Sequence, residues 1–137
     1  MIVSELMSKK IVIVEQGNNL NHASRKMREN NIGVLPVMDK EKLLGVVTDR
    51  DITCFVSDMN INPASTMIEK VMTTNVSTCY EDDDIQQAAK IMQDRHIRRL
   101  VVIDHDHNPV GLLSVDDLAR GSHELAGAVL EMADTIH

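Results

Sequence analysis

Gly45-Val-Val-Thr-Asp-Arg-Asp-Ile52 and Gly111-Leu-Leu-Ser-Val-Asp-Asp-Leu118 are one phrase written twice. Each opens on a glycine, runs through two apolar residues to a hydroxyl, and carries an aspartate three places later. A shift of 66 places lays Gly45, Thr48 and Asp51 on Gly111, Ser114 and Asp117. Upstream the shift is 65, which lays Met7, Ala23, Met27, Ile32, Leu35, Val37 and Asp39 on Met72, Ala88, Met92, Ile97, Leu100, Val102 and Asp104. One extra residue therefore enters the second copy. A period longer than the usual solenoid unit, present only twice, predicts two similar halves packed face to face, with a central cleft and two equivalent sites.

Outward from the phrase, both copies show the same order of signals. Lys10-Ile-Val-Ile-Val14 and its match Asn75-Val-Ser-Thr-Cys79 have the β-branched content of short strands. Asn18-Asn19 and Asp83-Asp84 are good helix N-caps. After them Leu20, Ala23 and Met27, or Ile85, Ala88, Ala89 and Met92, keep helical spacing. Val34 to Met38 and Arg99 to Ile103 read as strands, followed by polar hairpin loops at 39–42 and 104–109, the second holding the insertion. The returning strands run straight into helix starts at Thr48 and Ser114. The expected fold is α+β, built of tandem β-α-β-β-α repeats with pseudo-two-fold symmetry. The repeats span 1–56 and 68–120, joined by a polar linker over 57–67 and followed by a C-terminal helix over 121–137. Ser122 can cap that helix, whose stripe is Leu125, Ala128, Val129, Met132 and Ile136.

At 137 residues and 43% apolar content the chain can bury one or two modest cores, with no room for a separate catalytic domain. A net charge of −7 disfavours non-specific nucleic-acid binding, and 1% aromatic content removes the platforms on which single strands stack. No apolar run approaches the roughly 18 residues of a membrane span, and the N-terminus lacks the form of a signal peptide, so a cytoplasmic protein is expected. Cys54 and Cys79 have neither Cys-x-x-Cys spacing nor a cysteine framework around them, and both are expected to be buried structural thiols.

The polar trio admits two readings. In the structural one, Thr48-x-x-Asp51 and Ser114-x-x-Asp117 are capping boxes, although Asp, one methylene shorter than the preferred Glu, should reach back less well. In the functional one, the same turn holds a nucleotide: free amides attract phosphate, the hydroxyl donates to it, and the carboxylate accepts from two ribose hydroxyls. The roles can coexist, and duplication at matched positions favours the second.

In this order, and twice, the residues are specific. Leu6-Met-Ser8 and Val71-Met-Thr73 stand at the starts, Ile32-Gly-Val-Leu-Pro-Val37 and Ile97-Arg-Arg-Leu-Val-Val102 in the middle, and the opening phrases at the ends. Each half resembles a cystathionine-β-synthase (CBS) domain, and the pair, over roughly residues 3 to 120, resembles a Bateman module of the small stand-alone bacterial kind typified by hypoxic response protein. The resemblance implies a regulatory sensor of an adenosyl ligand (AMP, ADP, ATP, NAD(H) or S-adenosylmethionine), with no obligatory cofactor. Carried over by position, Thr48 and Asp51 serve one site and Ser114 and Asp117 the other, with Val12 and Ser77 beside the base. Arg98 and Arg99 fall where nucleotide-binding members carry basic phosphate contacts, whereas the first half has Gly33 and Val34, so the second site is expected to hold phosphate better. A homodimer and an unknown regulated protein are the implied partners. The rival reading is an interaction or stress-response module whose clefts bind no nucleotide.

Other polar groups carry less. His105-Asp-His-Asn108 offers at most two close metal ligands and reads as a solvated loop, and Glu81-Asp-Asp-Asp84 complements a helix dipole. His22, His96 and His123 stand singly, with no Ser or Cys placed beside them as a nucleophile, so no catalytic residue, no metal site and no enzyme activity is expected.

Overall fold

A computed structural model describes the chain from Met1 to Asp134. The fold is α+β, and the order β-α-β-β-α occurs twice. The first repeat contains β1 (Val14–Glu15), α1 (Leu20–Asn30), β2 (Val34–Asp39), β3 (Lys42–Thr48) and α2 (Asp49–Met59). The second contains β4 (Thr78–Tyr80), α3 (Ile85–Arg95), β5 (Arg99–Ile103), β6 (Pro109–Ser114) and α4 (Val115–Gly121), after which α5 (His123–Asp134) follows. Each repeat has its own three-stranded sheet, β1-β2-β3 or β4-β5-β6, with the first pair parallel and the second antiparallel.

Local chemistry sets the helix ends. The Asn19 side chain accepts the amide of His22 at 2.8 Å to start α1, and the Asp84 carboxylate accepts the amide of Gln86 at 2.8 Å to start α3. Both helices stop at a residue in the left-handed region, Asn31 at φ 52° and His96 at φ 55°. Between the ends, Leu20, Ala23 and Met27, or Ile85, Ala88, Ala89 and Met92, bury one face against the central strand of their sheet.

The chain divides into two compact units, one formed by Val12–Val76 and the other by Met1–Ile11 together with the chain from Ser77 onward. The segment that precedes each repeat thus belongs to the core of the other. A short 3-10 turn at Val3–Glu5 packs Val3 fully buried among Leu100, Val102, Leu113 and Leu118, and its match at Ile68–Lys70 packs Ile68 among Leu20, Leu35, Val37 and Val47. Just beyond, Ser8 exchanges backbone hydrogen bonds of 2.8 and 3.0 Å with Leu112, and Thr73 exchanges bonds of 2.8 and 3.0 Å with Val46. This contact explains the glycine that opens each phrase. A Cβ on Gly45 would stand 2.5 Å from the Thr73 carbonyl oxygen, and one on Gly111 2.8 Å from that of Ser8, distances that backbone atoms cannot relieve.

Three expectations are corrected. The first strand of each repeat is shorter and lies later than Lys10 to Val14 and Asn75 to Cys79, because ladder pairing begins only where Val14 meets Val37 and Thr78 meets Val101. The preceding β-branched residues are half-buried without being paired, and β-propensity reports that burial rather than the ladder. Cys54 is exposed, while Cys79 is buried. In α2 the buried position is Ile52, and Cys54, two residues on, points about 200° around the helix. In α5 the buried positions are Ala126 and Val129, which face α3 and α4, and Met132 is exposed; Ile136 lies outside the described residues. Among the described residues no helix is long and apolar enough to cross a membrane.

Candidate functional site

Each sheet delivers one hydroxyl to the start of a helix. In the first repeat β3 ends on Thr48, whose extended backbone (φ −112°, ψ 162°) frees the side chain to cap α2. Its Oγ1 accepts the Asp51 amide at 3.0 Å, and the Asp51 Oδ2 accepts the Thr48 amide at 3.1 Å. In the second repeat β6 ends on Ser114. Its Oγ accepts the Asp117 amide at 3.2 Å, and the Asp117 Oδ2 accepts the Ser114 amide at 2.9 Å. Both capping boxes are closed. Aspartate is long enough to reach back in both repeats, at 3.1 and 2.9 Å, contrary to the expectation drawn from its length.

The turns differ in what surrounds them. Val34 stands in register opposite Thr48, and Arg99 opposite Ser114. The amide of Asp49 donates to the Gly33 carbonyl at 3.0 Å, as the amide of Val115 donates to the Arg98 carbonyl at 3.0 Å. Gly33 leaves room for the exposed Asp49 carboxylate, which lies 3.1 Å from the place a Cβ would take. The second repeat instead has two exposed arginines here, Arg99 in register with Ser114 and Arg98 preceding it.

Asp117 is buried, at 8% exposure, and carries a further partner. The Arg120 Nη2 donates to its Oδ1 at 2.6 Å and to the Leu6 carbonyl at 3.0 Å. Sequence reasoning missed Arg120, although Asp117-x-x-Arg120 is a helical i, i+3 pair that spacing could have found. Ser77 lies beside β5, where its carbonyl accepts the Val101 amide at 3.2 Å and its Oγ accepts from Arg95 Nη1 at 3.0 Å. Val12 is half-buried against the first-repeat core. The structure thus brings Thr48 to Asp51 and Ser114 to Asp117, and aligns Arg99 with Ser114. The Ser77 hydroxyl is turned toward α3.

Burial, with the Asp83 charge adding to it, pushes the Cys79 thiol up to about 12, so it is protonated and unreactive at neutral pH. The loop His105 stacks on Tyr80 with ring centres 4.7 Å apart, and its Nε2 lies 2.9 Å from Asp82. No group of three or more His, Cys, Asp or Glu is arranged to hold a metal ion among the described residues.

The repeated sheet-and-helix unit with its duplicated hydroxyl-aspartate turn is that of a CBS domain, and the chain belongs to this family, whose model matches residues 3–58 and 68–124. CBS domain-containing protein YhcV of Bacillus subtilis is 29% identical over 130 residues, which is 93% of this chain and 91% of that protein. The CBS domain pair of protein MJ0100, solved in complex with 5′-methylthioadenosine and S-adenosyl-L-methionine, superposes with a TM-score of 0.77 at 27% identity, covering 88% of this chain and 94% of that one. Hypoxic Response Protein I, solved with two coordinated zinc ions, gives a TM-score of 0.76 at 26% identity, covering 89% and 99%. Homoserine O-acetyltransferase of Methanohalobium evestigatum is 34% identical over 119 residues, but these span only 23% of that protein.

Proposed function

We propose that this chain is a regulatory module that binds an adenosyl ligand (AMP, ADP, ATP, NAD(H) or S-adenosylmethionine) at its two hydroxyl-aspartate turns and, as a homodimer, signals occupancy to a partner protein. The likeness to a CBS pair that holds S-adenosyl-L-methionine and 5′-methylthioadenosine, 27% identical over nearly the whole module, carries this reading. Capping does not exhaust the turn. A hydroxyl that accepts an amide keeps its own O–H to donate to phosphate, and a carboxylate that caps with one oxygen keeps lone pairs for ribose hydroxyls. Thr48 and Asp51 serve one ligand in these roles, Ser114 and Asp117 the other, with Val12 and Ser77 beside the base. Arg98 and Arg99 add charge-assisted contacts that make the second turn the better phosphate holder.

A second reading is favoured by one observation: both capping boxes are closed, and in the second the other Asp117 oxygen is also taken by Arg120. On that reading the turns are helix caps alone, and the module acts through protein contacts. A thermal-shift panel of adenosyl compounds separates the two. A ligand at about 100 times its Kd stabilises the fold by roughly 2.7 kcal/mol, whereas no shift at millimolar concentration selects the cap-only module.

A further inference from the structure

In the second repeat both oxygens of the Asp117 carboxylate are engaged by the chain itself. Oδ2 accepts the Ser114 amide at 2.9 Å, and Oδ1 accepts from the Arg120 Nη2 at 2.6 Å. The same Nη2 donates to the Leu6 carbonyl at 3.0 Å, at the end of the 3-10 turn whose Val3 carbonyl accepts the amides of Leu6 and Met7 at 3.0 and 2.9 Å. Leu6 is buried against the end of α4, where a Cβ on Gly121 would stand 2.5 Å from its Cδ1. The first repeat is built otherwise. Cys54 and Phe55 stand at the positions of Arg120 and Gly121, and Val71 at that of Leu6.

The two holds on Asp117 differ in strength. The cap joins side chain to backbone within one helical turn, whereas the Arg120 side chain is 64% exposed and loses little by turning to water. Two vicinal ribose hydroxyls that donate to Asp117 need acceptor sites on its oxygens, and a carboxylate at 8% exposure offers little open surface to a further set of donors. We propose that Arg120 is a latch: a riboside seated on Asp117 takes the place of the guanidinium, which lets go of the Leu6 carbonyl and loosens the N-terminal segment from Val3 to Ser8. The second turn then reports its occupancy through that segment, and the first, with Cys54 in place of the arginine, is silent. Linkage makes the coupling reciprocal, since the closed latch weakens riboside binding by the same factor by which binding opens it. This inference rests on the adenosyl-sensor reading above and names the turn that signals and the segment that responds.

Hydrogen-exchange mass spectrometry on the full chain tests it, after calorimetry has identified which of S-adenosylmethionine, 5′-methylthioadenosine, AMP and ATP binds most tightly. Saturating the wild type with that compound should speed exchange of the Met7 and Ser8 amides about three- to fivefold, while Thr73, the match of Ser8, keeps its rate. In Arg120→Ala, with melting temperature as the check on folding, the same two amides should exchange at the raised rate before ligand is added, and ligand should add nothing. A purely structural arginine would give the raised rate in the variant but no response to ligand in the wild type. A compound that binds yet leaves Met7 and Ser8 unchanged or slower, that speeds Thr73 as much, or that still speeds Met7 and Ser8 in Arg120→Ala overturns the latch while the sensor reading stands. Binding by none of the four at millimolar concentration overturns both.

Discussion

The Arg120 Nη2 lies 2.6 Å from the Asp117 Oδ1 and 3.0 Å from the carbonyl of Leu6, so one guanidinium joins the second-repeat turn to a segment 114 residues earlier. The first repeat has Cys54 at the matched position and makes no such contact. Arg120→Ala should therefore lower stability by about 1 kcal/mol in a urea melt, modest because the guanidinium is well exposed. Asp117→Ala, which removes a helix cap as well, should cost more. Equal losses would show that the cap adds nothing beyond the ion pair, and an unchanged Arg120→Ala that the ion pair adds nothing.

The exchange of pre-repeat segments predicts a matched pair of glycine effects. Gly45→Ala and Gly111→Ala should each destabilise by about 1–3 kcal/mol through overpacking against the Thr73 and Ser8 carbonyls. Gly127→Ala, with open space around it, should be neutral or slightly stabilising in the monomer by helix propensity. Thermal denaturation of the three variants checks the ranking.

The His105 and Asp82 pair makes stability depend on pH. The hydrogen bond to Asp82, followed by its charge, holds His105 above its ordinary 6.5, and the bond to His105 holds Asp82 below its ordinary 3.8. The His105 contribution is complete below pH 6.5 and is lost as pH rises through the raised value. That of Asp82 is complete above pH 3.8 and is lost as pH falls through the lowered one. The melting temperature difference between wild type and His105→Ala should therefore be greatest between pH 3.8 and 6.5 and shrink on either side, leaving the pH-independent stacking on Tyr80.

The two thiols should part in a labelling experiment. Cys54 is exposed and should react with a thiol reagent in the native protein, whereas Cys79, buried and pushed up to about 12, should react only on unfolding. Mass spectrometry would count one label under native conditions and two in denaturant.

The sequence phrase was a good guide to what is local. The caps at Asn19, Asp84, Thr48 and Ser114, the order of elements and the inserted residue in the second hairpin follow from short-range chemistry that a chain carries in its own neighbours. What lay beyond it is non-local. Periodicity marks Val3 and Ile68 as apolar, but not that each is buried in the unit of the other repeat. Gly45 and Gly111 held the clue, since a glycine inside a strand marks a close backbone approach. The Arg120 contact with Leu6 is legible by half: the helical pair with Asp117 lies in the spacing, and the reach to the N-terminal segment lies only in the fold.

Isothermal titration calorimetry of wild type, Asp51→Ala and Asp117→Ala with S-adenosylmethionine, 5′-methylthioadenosine, AMP and ATP separates a ligand sensor from a module whose turns are helix caps alone. At least one adenosyl compound should bind the wild type, each aspartate substitution should weaken binding at its site by about tenfold or more, and the phosphate-bearing ligands should lose more with Asp117→Ala. Absence of heat for all four compounds at millimolar concentration, with the wild type folded, would contradict the sensor reading.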